Sequence, residues 1–255
     1  MTATLRTPSK LVLRTPAQPV APALKLTPEQ ELALLARVLF REGYDDHLAG
    51  HITYKQEDGT FLVNPFGLPW DEVRASDVMR MDAEGNRLDG PWTITQAITL
   101  HVELHRARCD VTVAVHNHPQ WSTVWAGMAR VPKIYDQTSA FYTGEVAVLK
   151  EYRGAVDDAD NARDVVAAMG SAGVALLANH GILIAAKDID QAYLRGMSFE
   201  WRARQAWRIE ALGGGQAVRP DVVHALGDSF NTNTFPGLFP AMARREIRRD
   251  PSVLS

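Results

Sequence analysis

The sequence predicts an α/β fold in which helices cover the faces of a central, mostly antiparallel sheet. Three observations favour this fold class. Strand-like and helix-like segments mix without strict β-α alternation, tight turns such as 57–59 join neighbouring strands, and no GxGxxG loop follows a strand. The missing glycine-rich loop disfavours a doubly wound dinucleotide-binding sheet.

The composition narrows the class of protein. The 255 residues are 46% hydrophobic and 22% charged, which is enough apolar material for a buried core. The net charge of −3 gives no general attraction to nucleic acid or to anionic membranes. No apolar run is long enough to span a bilayer and the start lacks a signal-peptide pattern, so we expect a cytoplasmic protein. Cys109 is the only cysteine, which excludes an intrachain disulfide and a thiolate-rich metal site.

The chain divides into an N-terminal arm and one folded domain. Residues 1–24 are rich in proline and show no periodicity, which predicts a mobile arm. A single domain is predicted over residues 25–255. It begins with a helix, because Thr27 and Gln30 form a capping-box pattern ahead of apolar residues at helical spacing.

The elements that follow are predicted from their periodicity and turn signals. The last long helix is expected to begin at Asp188 or Asp190 and to end at the glycines 213–215, and the tail beyond it gives no clear pattern. Between the two helices we predict strands at 51–55, 60–64, 77–82, 111–116, 145–149, 174–179 and 182–187, and helices at 95–108, 119–128 and 161–169.

Three histidines end apolar strands. His116 and His118 are two apart, so in an extended segment both side chains point to one face. His180 ends another apolar run, and Gly181 permits a sharp bend there. Three neutral imidazoles suit Zn, Mn, Fe or Co and leave positions open for a substrate. The alternative is that these histidines are only polar residues that close strands.

Two further segments carry polar or aromatic side chains. In the polar stretch 45–55, Gly50 lets backbone N–H groups approach a ligand, although an ordinary solvated turn is the alternative. The loop 63–70 supplies aromatic surface for either the core or a pocket wall. His101 and His105 share one helix face; we expect packing or interface roles for them, with His105 partly exposed.

Taken together, these segments resemble the class II aldolase/adducin family over residues 28–210. The resemblance implies a three-layer α/β/α sandwich and a homotetramer with active sites at subunit interfaces. It also implies one divalent metal ion per subunit, held by His116, His118 and His180. The matching segments, in chain order, are GHITYK, FLVNPFGL, RASDVMRMDAEGN, HVELHRARCDVTVAVHNHP, ANHGILIA and AYLRGMSFEWRARQAW.

The departures from the family pattern bear on the substrate. Ala97 stands where sugar-phosphate aldolases of the family have a glutamate that binds the metal and transfers protons. The three phosphate-binding pairs are replaced as well, and Phe66 in place of a small hydroxyl makes phosphate a poor ligand. An aromatic or otherwise flat organic acid fits better. The substrate-binding residues that the resemblance implies are Gly50, Phe66, Gly67, Thr95 and Gln96.

These departures resemble the branch that contains decarboxylases of hydroxylated aromatic and pyridine carboxylic acids. Both decarboxylation and aldol cleavage leave electrons on an oxygen, which a divalent cation stabilises. Only the aldolase also needs a base for an alcohol proton, so losing the glutamate harms it more. We therefore expect a decarboxylase of a hydroxylated aromatic or β-keto acid, with His51 as acid/base group or carboxylate partner.

Three alternatives remain open. One is an aldolase for an unphosphorylated hydroxy-keto acid, with His51, a tyrosine such as Tyr142, or water as base. Another is oxygen chemistry at iron, because three histidines leave sites free for dioxygen. The third is a non-catalytic adducin-like scaffold, which retention of all three histidines disfavours.

Overall fold

A computed structural model describes residues 24–232 and 237–255, so the predicted N-terminal arm lies, except for Leu24, outside the described residues. No helix among the described residues is long and apolar enough to cross a bilayer. The described helices are α1 (Pro28–Arg41), α2 (Thr99–Ala107), α3 (Gln120–Gly127), α4 (Ala159–Met169), α5 (Ile189–Ala211), α6 (Pro220–Thr232) and α7 (Leu238–Arg249). The described strands are β1 (His51–Lys55), β2 (Phe61–Val63), β3 (Met79–Met81), β4 (Arg87–Asp89), β5 (Val113–Asn117), β6 (Val146–Leu149), β7 (Val174–Leu177) and β8 (Gly181–Ala186).

The eight strands form one sheet in the order β4-β3-β2-β1-β5-β8-β7-β6. Six of the neighbouring pairs are antiparallel, and β6 with β7 is the parallel pair among the described strands. The predicted mostly antiparallel sheet is confirmed. Strand β5 pairs with β1 on one side and β8 on the other, which brings the ends of three separate chain segments together.

Alternation along the central strands separates two hydrophobic cores. Val113 and Val115 of β5 pack in a core with α1, α3, α5 and α7, whereas Ala114 packs in a second core with α2 and α4. In β8, likewise, Ile184 packs in the first core and Leu183 packs in the second. Because successive strand residues point to opposite faces, helices cover both faces of the sheet. The three-layer α/β/α sandwich is therefore confirmed.

The helix starts follow the predicted capping chemistry. The Thr27 side chain accepts a hydrogen bond from the Gln30 backbone N–H, and the Gln30 side chain accepts one from the Thr27 N–H. These reciprocal bonds satisfy two backbone donors at the start of α1. Asp188 is the N-cap of α5, and it accepts from the backbone N–H of Gln191.

The tail contains structure that the sequence did not indicate, namely α6 and α7. Helix α7 has one apolar face, because Phe239 and Ala243 are buried and Leu238, Met242 and Ile247 pack against the same core. It packs on α1 and α5, and Arg41 of α1 pairs with the buried Glu246 at 3.2 Å. Strand β4 was also not predicted, because all three of its residues are exposed and carry no alternation.

Candidate active site

Neighbouring strands place His51 and His116 side by side. The two residues are paired across β1 and β5, and their ring centroids lie 4.9 Å apart. Ile52 lies in the core beneath α1 and α5, so strand alternation turns His51 to the opposite face, toward α2. His116 shares that face, and both side chains are almost completely buried.

The segments after β5 and before β8 bring the other two histidines to the same place. The turn after β7 has Asn179 in the left-handed conformation at φ 57°, which asparagine tolerates, and His180 follows it. Gly181 is needed for space: an added Cβ would lie 2.5 Å from the Asn117 carbonyl oxygen and 2.5 Å from the His118 ring. The sharp bend predicted at Gly181 is therefore made by Asn179, and glycine permits close approach instead.

His116, His118 and His180 form a compact cluster. One ring nitrogen from each lies within 4.8 Å of the others. The ring centroids are separated by 4.7 to 5.1 Å. Burial lowers the pKa of His180 to about 4 and lowers that of His116 as well, so both rings are neutral and offer lone pairs at physiological pH.

Hydrogen bonds on the outer side of the cluster leave inner lone pairs free. Nδ1 of His116 donates to the Ile182 carbonyl at 2.8 Å, and Nδ1 of His118 donates to the Asp46 carboxylate at 2.7 Å. Nε2 of His118 is buried without a hydrogen-bond partner in the described structure. A neutral imidazole with its other nitrogen bound to a carbonyl or carboxylate is the usual form of a metal ligand. These residues fit a divalent metal ion.

A cavity of about 170 Å³ opens beside the cluster. Three of the predicted substrate-binding residues line it, namely Gly50, Phe66 and Thr95. Gly67 and Gln96 are solvent-exposed and lie outside its lining, so their role in substrate binding stays a prediction without support from this cavity. The full lining is Ala49, Gly50, His51, Phe66, Thr95, Ala97, Leu100, His116, His118, Ala155, Val156 and His180.

Gly50 holds the backbone that leads into His51. Its φ of +97° lies in the region that favours glycine, and an added Cβ would lie 2.2 Å from Nδ2 of Asn117 and 2.9 Å from the Trp70 ring. Nδ2 of Asn117 donates to the carbonyl of Ala49 at 3.2 Å. Both the conformation and the close packing therefore require glycine at this edge of the cavity.

Behind His51 lies a buried polar network of four side chains: His51, His101, Thr53 and His105. Nδ1 of His51 lies 3.1 Å from Nε2 of His101, and the Thr53 hydroxyl lies 2.8 Å from Nδ1 of His101 and 2.7 Å from Nε2 of His105. His105 was predicted to be partly exposed, which is wrong: it is 7% exposed, because its helix face packs against β1 and Phe61. Burial lowers the pKa of His51 to about 3 and that of His105 to about 4.

Several residues of the site were not singled out from the sequence. Asp46 was noted only as one member of the polar stretch 45–55, yet it is the hydrogen-bond partner of His118. Leu100 and Val156 supply apolar cavity wall from separate elements. Tyr142 was named as a possible base, but it is buried outside the cavity lining and its hydroxyl donates to the Glu145 carbonyl at 2.5 Å.

Comparison with known families agrees with this geometry. The family model described as "Class II Aldolase and Adducin N-terminal domain" matches residues 30–207. The chain belongs to the class II aldolase and adducin family. The family resemblance drawn from the sequence is thereby confirmed.

The relatives of this chain within the class II aldolase and adducin family are named for different enzymatic activities. A 3,4-dihydroxyphthalate decarboxylase of Arthrobacter keyseri is 32% identical over 225 residues, which is 80% of this chain and 89% of the relative. A second relative is a 4-hydroxy-3-prenylphenylpyruvate oxygenase/4-hydroxy-3-prenylbenzoate synthase of Streptomyces roseochromogenus subsp. oscitans. It is 26% identical to this chain over 207 residues, which is 79% of this chain and 74% of the relative. An aldolase II superfamily protein from Pseudomonas syringae has the same fold, with a TM-score of 0.79 at 23% identity over 90% of this chain and 97% of its own.

Proposed function

We propose that the protein is a metal-dependent carbon–carbon lyase that decarboxylates a hydroxylated aromatic or β-keto carboxylic acid. The observation that carries this proposal is the composition of the cavity wall. Four imidazoles line the cavity, and no carboxylate side chain is among the described residues of its lining. A substrate carboxylate entering it meets no like charge from a lining side chain, whereas the sugar-phosphate aldolases of this family have a glutamate at the position of Ala97.

In this proposal His116, His118 and His180 hold the metal ion through one ring nitrogen each. When bound, a divalent cation would supply positive charge that stabilises the negative charge developing on a substrate oxygen as the carbon–carbon bond breaks, an effect of several kcal/mol, and the carbon that loses CO₂ would take up a proton from solvent. Asp46 orients the His118 ring and fixes its proton on Nδ1. The metal can be Zn, Mn, Fe or Co.

The other residues of the cavity orient the substrate and exclude water. Phe66 is 48% exposed at the cavity wall and offers its ring to a flat organic acid. Leu100 and Val156 form an apolar wall that displaces water from the reacting groups. Ala97 leaves open the space that a longer acidic side chain would occupy, and the Thr95 side chain accepts a hydrogen bond from the Ala97 N–H.

A second candidate function is oxygen chemistry at iron. The oxygenase relative favours it, because that protein shares 26% identity over most of its length with this chain. Of the bases named for the aldolase alternative, Tyr142 lies outside the cavity lining, whereas His51 lines the cavity, so the aldolase alternative stays open with His51 as base. The scaffold alternative loses support because the outer hydrogen bonds of His116 and His118 are complete.

The experiment is incubation of the metal-loaded protein with a panel of dihydroxybenzoic, hydroxyphthalic and β-keto acids, in air and under nitrogen. We expect stoichiometric CO₂ and the decarboxylated product in both atmospheres. His116→Ala should abolish this release, and His224→Ala is the matched control because that histidine is exposed and lies outside the cavity lining. Formation of an aldehyde or pyruvate without CO₂ would refute decarboxylation, and release of CO₂ only with oxygen consumption would favour the iron candidate.

The assembly and location stay proposals as well. We propose a homotetramer in the cytoplasm, with the cavity completed at a subunit interface. Exposed apolar side chains on and after α3 and α5, including Met128, Trp207 and Leu212, give surface for such contacts. Light scattering should then report about four times the chain mass of 28.2 kDa; a monomer would contradict the proposal.

A further inference from the structure

The buried polar network connects the cavity to a backbone carbonyl. At its far end, Nδ1 of His105 lies 3.3 Å from the carbonyl oxygen of Val111. At its near end, Nε2 of His51 is buried at the cavity wall without a hydrogen-bond partner in the described structure. Thr53 and His101, which lie between these ends, are both completely buried. The network therefore has one fixed acceptor and one free nitrogen.

The carbonyl of Val111 sets the direction of every hydrogen bond in the network. A carbonyl oxygen only accepts, so Nδ1 of His105 carries a proton, and in a neutral ring Nε2 is then an acceptor. The Thr53 hydroxyl has one proton, which it donates to Nε2 of His105, and its oxygen accepts from Nδ1 of His101. Burial disfavours the charged form of an imidazole and lowers the pKa of both His101 and His105, so both rings are neutral.

The donor and acceptor roles fixed by the Val111 carbonyl extend through His101 to His51 at the cavity wall. Because Nδ1 of His101 donates, Nε2 of His101 accepts, and the proton between the two rings belongs to Nδ1 of His51. We propose that Thr53, His101 and His105 are positioning residues that hold His51 as the neutral tautomer protonated on Nδ1, with the lone pair of Nε2 directed into the cavity. This is the less populated tautomer of a free imidazole in water, so its enforcement requires the network.

The tautomer defines the chemical group that the cavity accepts beside His51. A lone pair accepts hydrogen bonds, so the ligand presents a donor there, such as the O–H of a hydroxylated acid. A carboxylate is an acceptor and would oppose the Nε2 lone pair. His51 is therefore assigned to a substrate hydroxyl rather than to the substrate carboxylate. This last step rests on the proposed function, whereas the tautomer itself does not.

Two substitutions of Thr53 separate proton direction from packing. Thr53→Val keeps the shape of the side chain and removes the hydroxyl, whereas Thr53→Ser keeps the hydroxyl and removes a methyl group. If Thr53 only fills space, the serine variant is the more damaged. If it transmits the hydrogen-bond direction, the valine variant alone loses the tautomer.

The measurement is long-range ¹⁵N–¹H correlation of the full chain labelled at histidine nitrogens, with and without added Zn²⁺. The His51 signals are assigned by their loss in His51→Gln. We expect His51 protonated on Nδ1 in the wild type and in Thr53→Ser, and a mixture containing the Nε2-protonated form in Thr53→Val. A wild-type His51 protonated on Nε2 overturns the proposal even if no variant folds, and an unchanged tautomer in a folded Thr53→Val also overturns it. None of these readings needs turnover, so failure of the proposed decarboxylation is a separate result.

Discussion

The Asp46 carboxylate accepts a hydrogen bond from Nδ1 of His118 across 2.7 Å, while Nε2 of the same ring is buried without a partner in the described structure. Burial raises the pKa of Asp46, but hydrogen bonds from His118 and His47 outweigh it and lower the pKa overall. The carboxylate is therefore ionised near neutral pH and holds the imidazole in the orientation and tautomer of a metal ligand.

Asp46→Ala should weaken metal binding without removing a ligand. The His118 ring loses its acceptor, and its neutral tautomers then compete, so we expect affinity to fall about 10- to 100-fold. Competition with a chromophoric chelator measures the change. Asp45→Ala is the matched control, because the adjacent carboxylate is exposed and makes no side-chain hydrogen bond within the described part of the chain. Equal losses in both variants would show that Asp46 acts only through general charge.

Gly50→Ala should destabilise the protein more than an alanine at another left-handed glycine. Gly59 has a φ of +83° and nothing within 4 Å of an added Cβ, so Gly59→Ala isolates the conformational cost of about 1 kcal/mol. Gly50→Ala adds the clash with Asn117 and Trp70, worth a further ~1–3 kcal/mol. Chemical denaturation of the two variants compares these free energies of unfolding. Equal losses would mean that the close approach at Gly50 relaxes freely.

Phe66→Ala should weaken binding of an aromatic acid while leaving the thermal midpoint unchanged. The ring lies at the cavity wall and is half exposed, so its removal costs little folding energy. Loss of one aromatic contact should raise the dissociation constant roughly 2- to 10-fold. Calorimetric titration with 3,4-dihydroxybenzoate measures it. Leu88→Ala, a change at an exposed apolar side chain outside the lining, should have no effect on binding.

Glu200 links α5 to the start of α3, directly after the His118–Pro119 segment. Its carboxylate accepts from the backbone N–H groups of Trp121 and Ser122 and from the Ser122 hydroxyl, at 2.6 to 2.9 Å. Burial raises the pKa of Glu200 to about 7, although these hydrogen bonds and Arg204 oppose the shift. In the folded protein the Glu200 carboxyl group therefore stays protonated at pH values at which the same group in the unfolded chain is ionised.

The stability of the wild type should consequently fall as the pH rises from about 4.5 to about 7. In that interval the native state binds more protons at Glu200 than the unfolded state, so raising the pH favours unfolding, by on the order of 3 kcal/mol at most. Other carboxylates titrate too, so the quantity to measure is the difference from Glu200→Gln across the same pH range. A difference that stays constant with pH would exclude this linkage.

Much of the fold was predictable because local patterns and tertiary structure agree. The strands around His51, His116 and His180 are apolar runs ended by turn residues, and each occurs close to its predicted place. Helix α7 was not predicted, although Phe239, Ala243 and Ile247 recur at helical spacing and pack on one core. Its contact with α1 through Arg41 and Glu246 joins residues 205 apart, so no local pattern indicates that contact.

The site was predictable to a similar degree. His116 and His118 carried a spacing signal and His180 ended a second apolar run, but it was the family resemblance that joined the three as metal ligands; the structure brings them together. Asp46 and the pairing of His51 with His101 gave no signal, because they depend on how a loop meets β5 and on which face of α2 turns toward β1. His105 was misplaced for the same reason: the helical spacing identifies a shared face but not what covers it.

The central claim is that His116, His118 and His180 bind one divalent metal ion. The most direct test is equilibrium dialysis of the full chain against Zn²⁺, Mn²⁺, Fe²⁺ and Co²⁺, followed by metal analysis of the wild type, His118→Ala and the control His224→Ala, whose histidine is exposed and lies outside the cavity lining. We expect about one tightly bound ion per chain in the wild type and in His224→Ala, and loss of tight binding in His118→Ala. A wild type that retains none of these ions, or a His118→Ala variant that binds them equally well, would contradict the account.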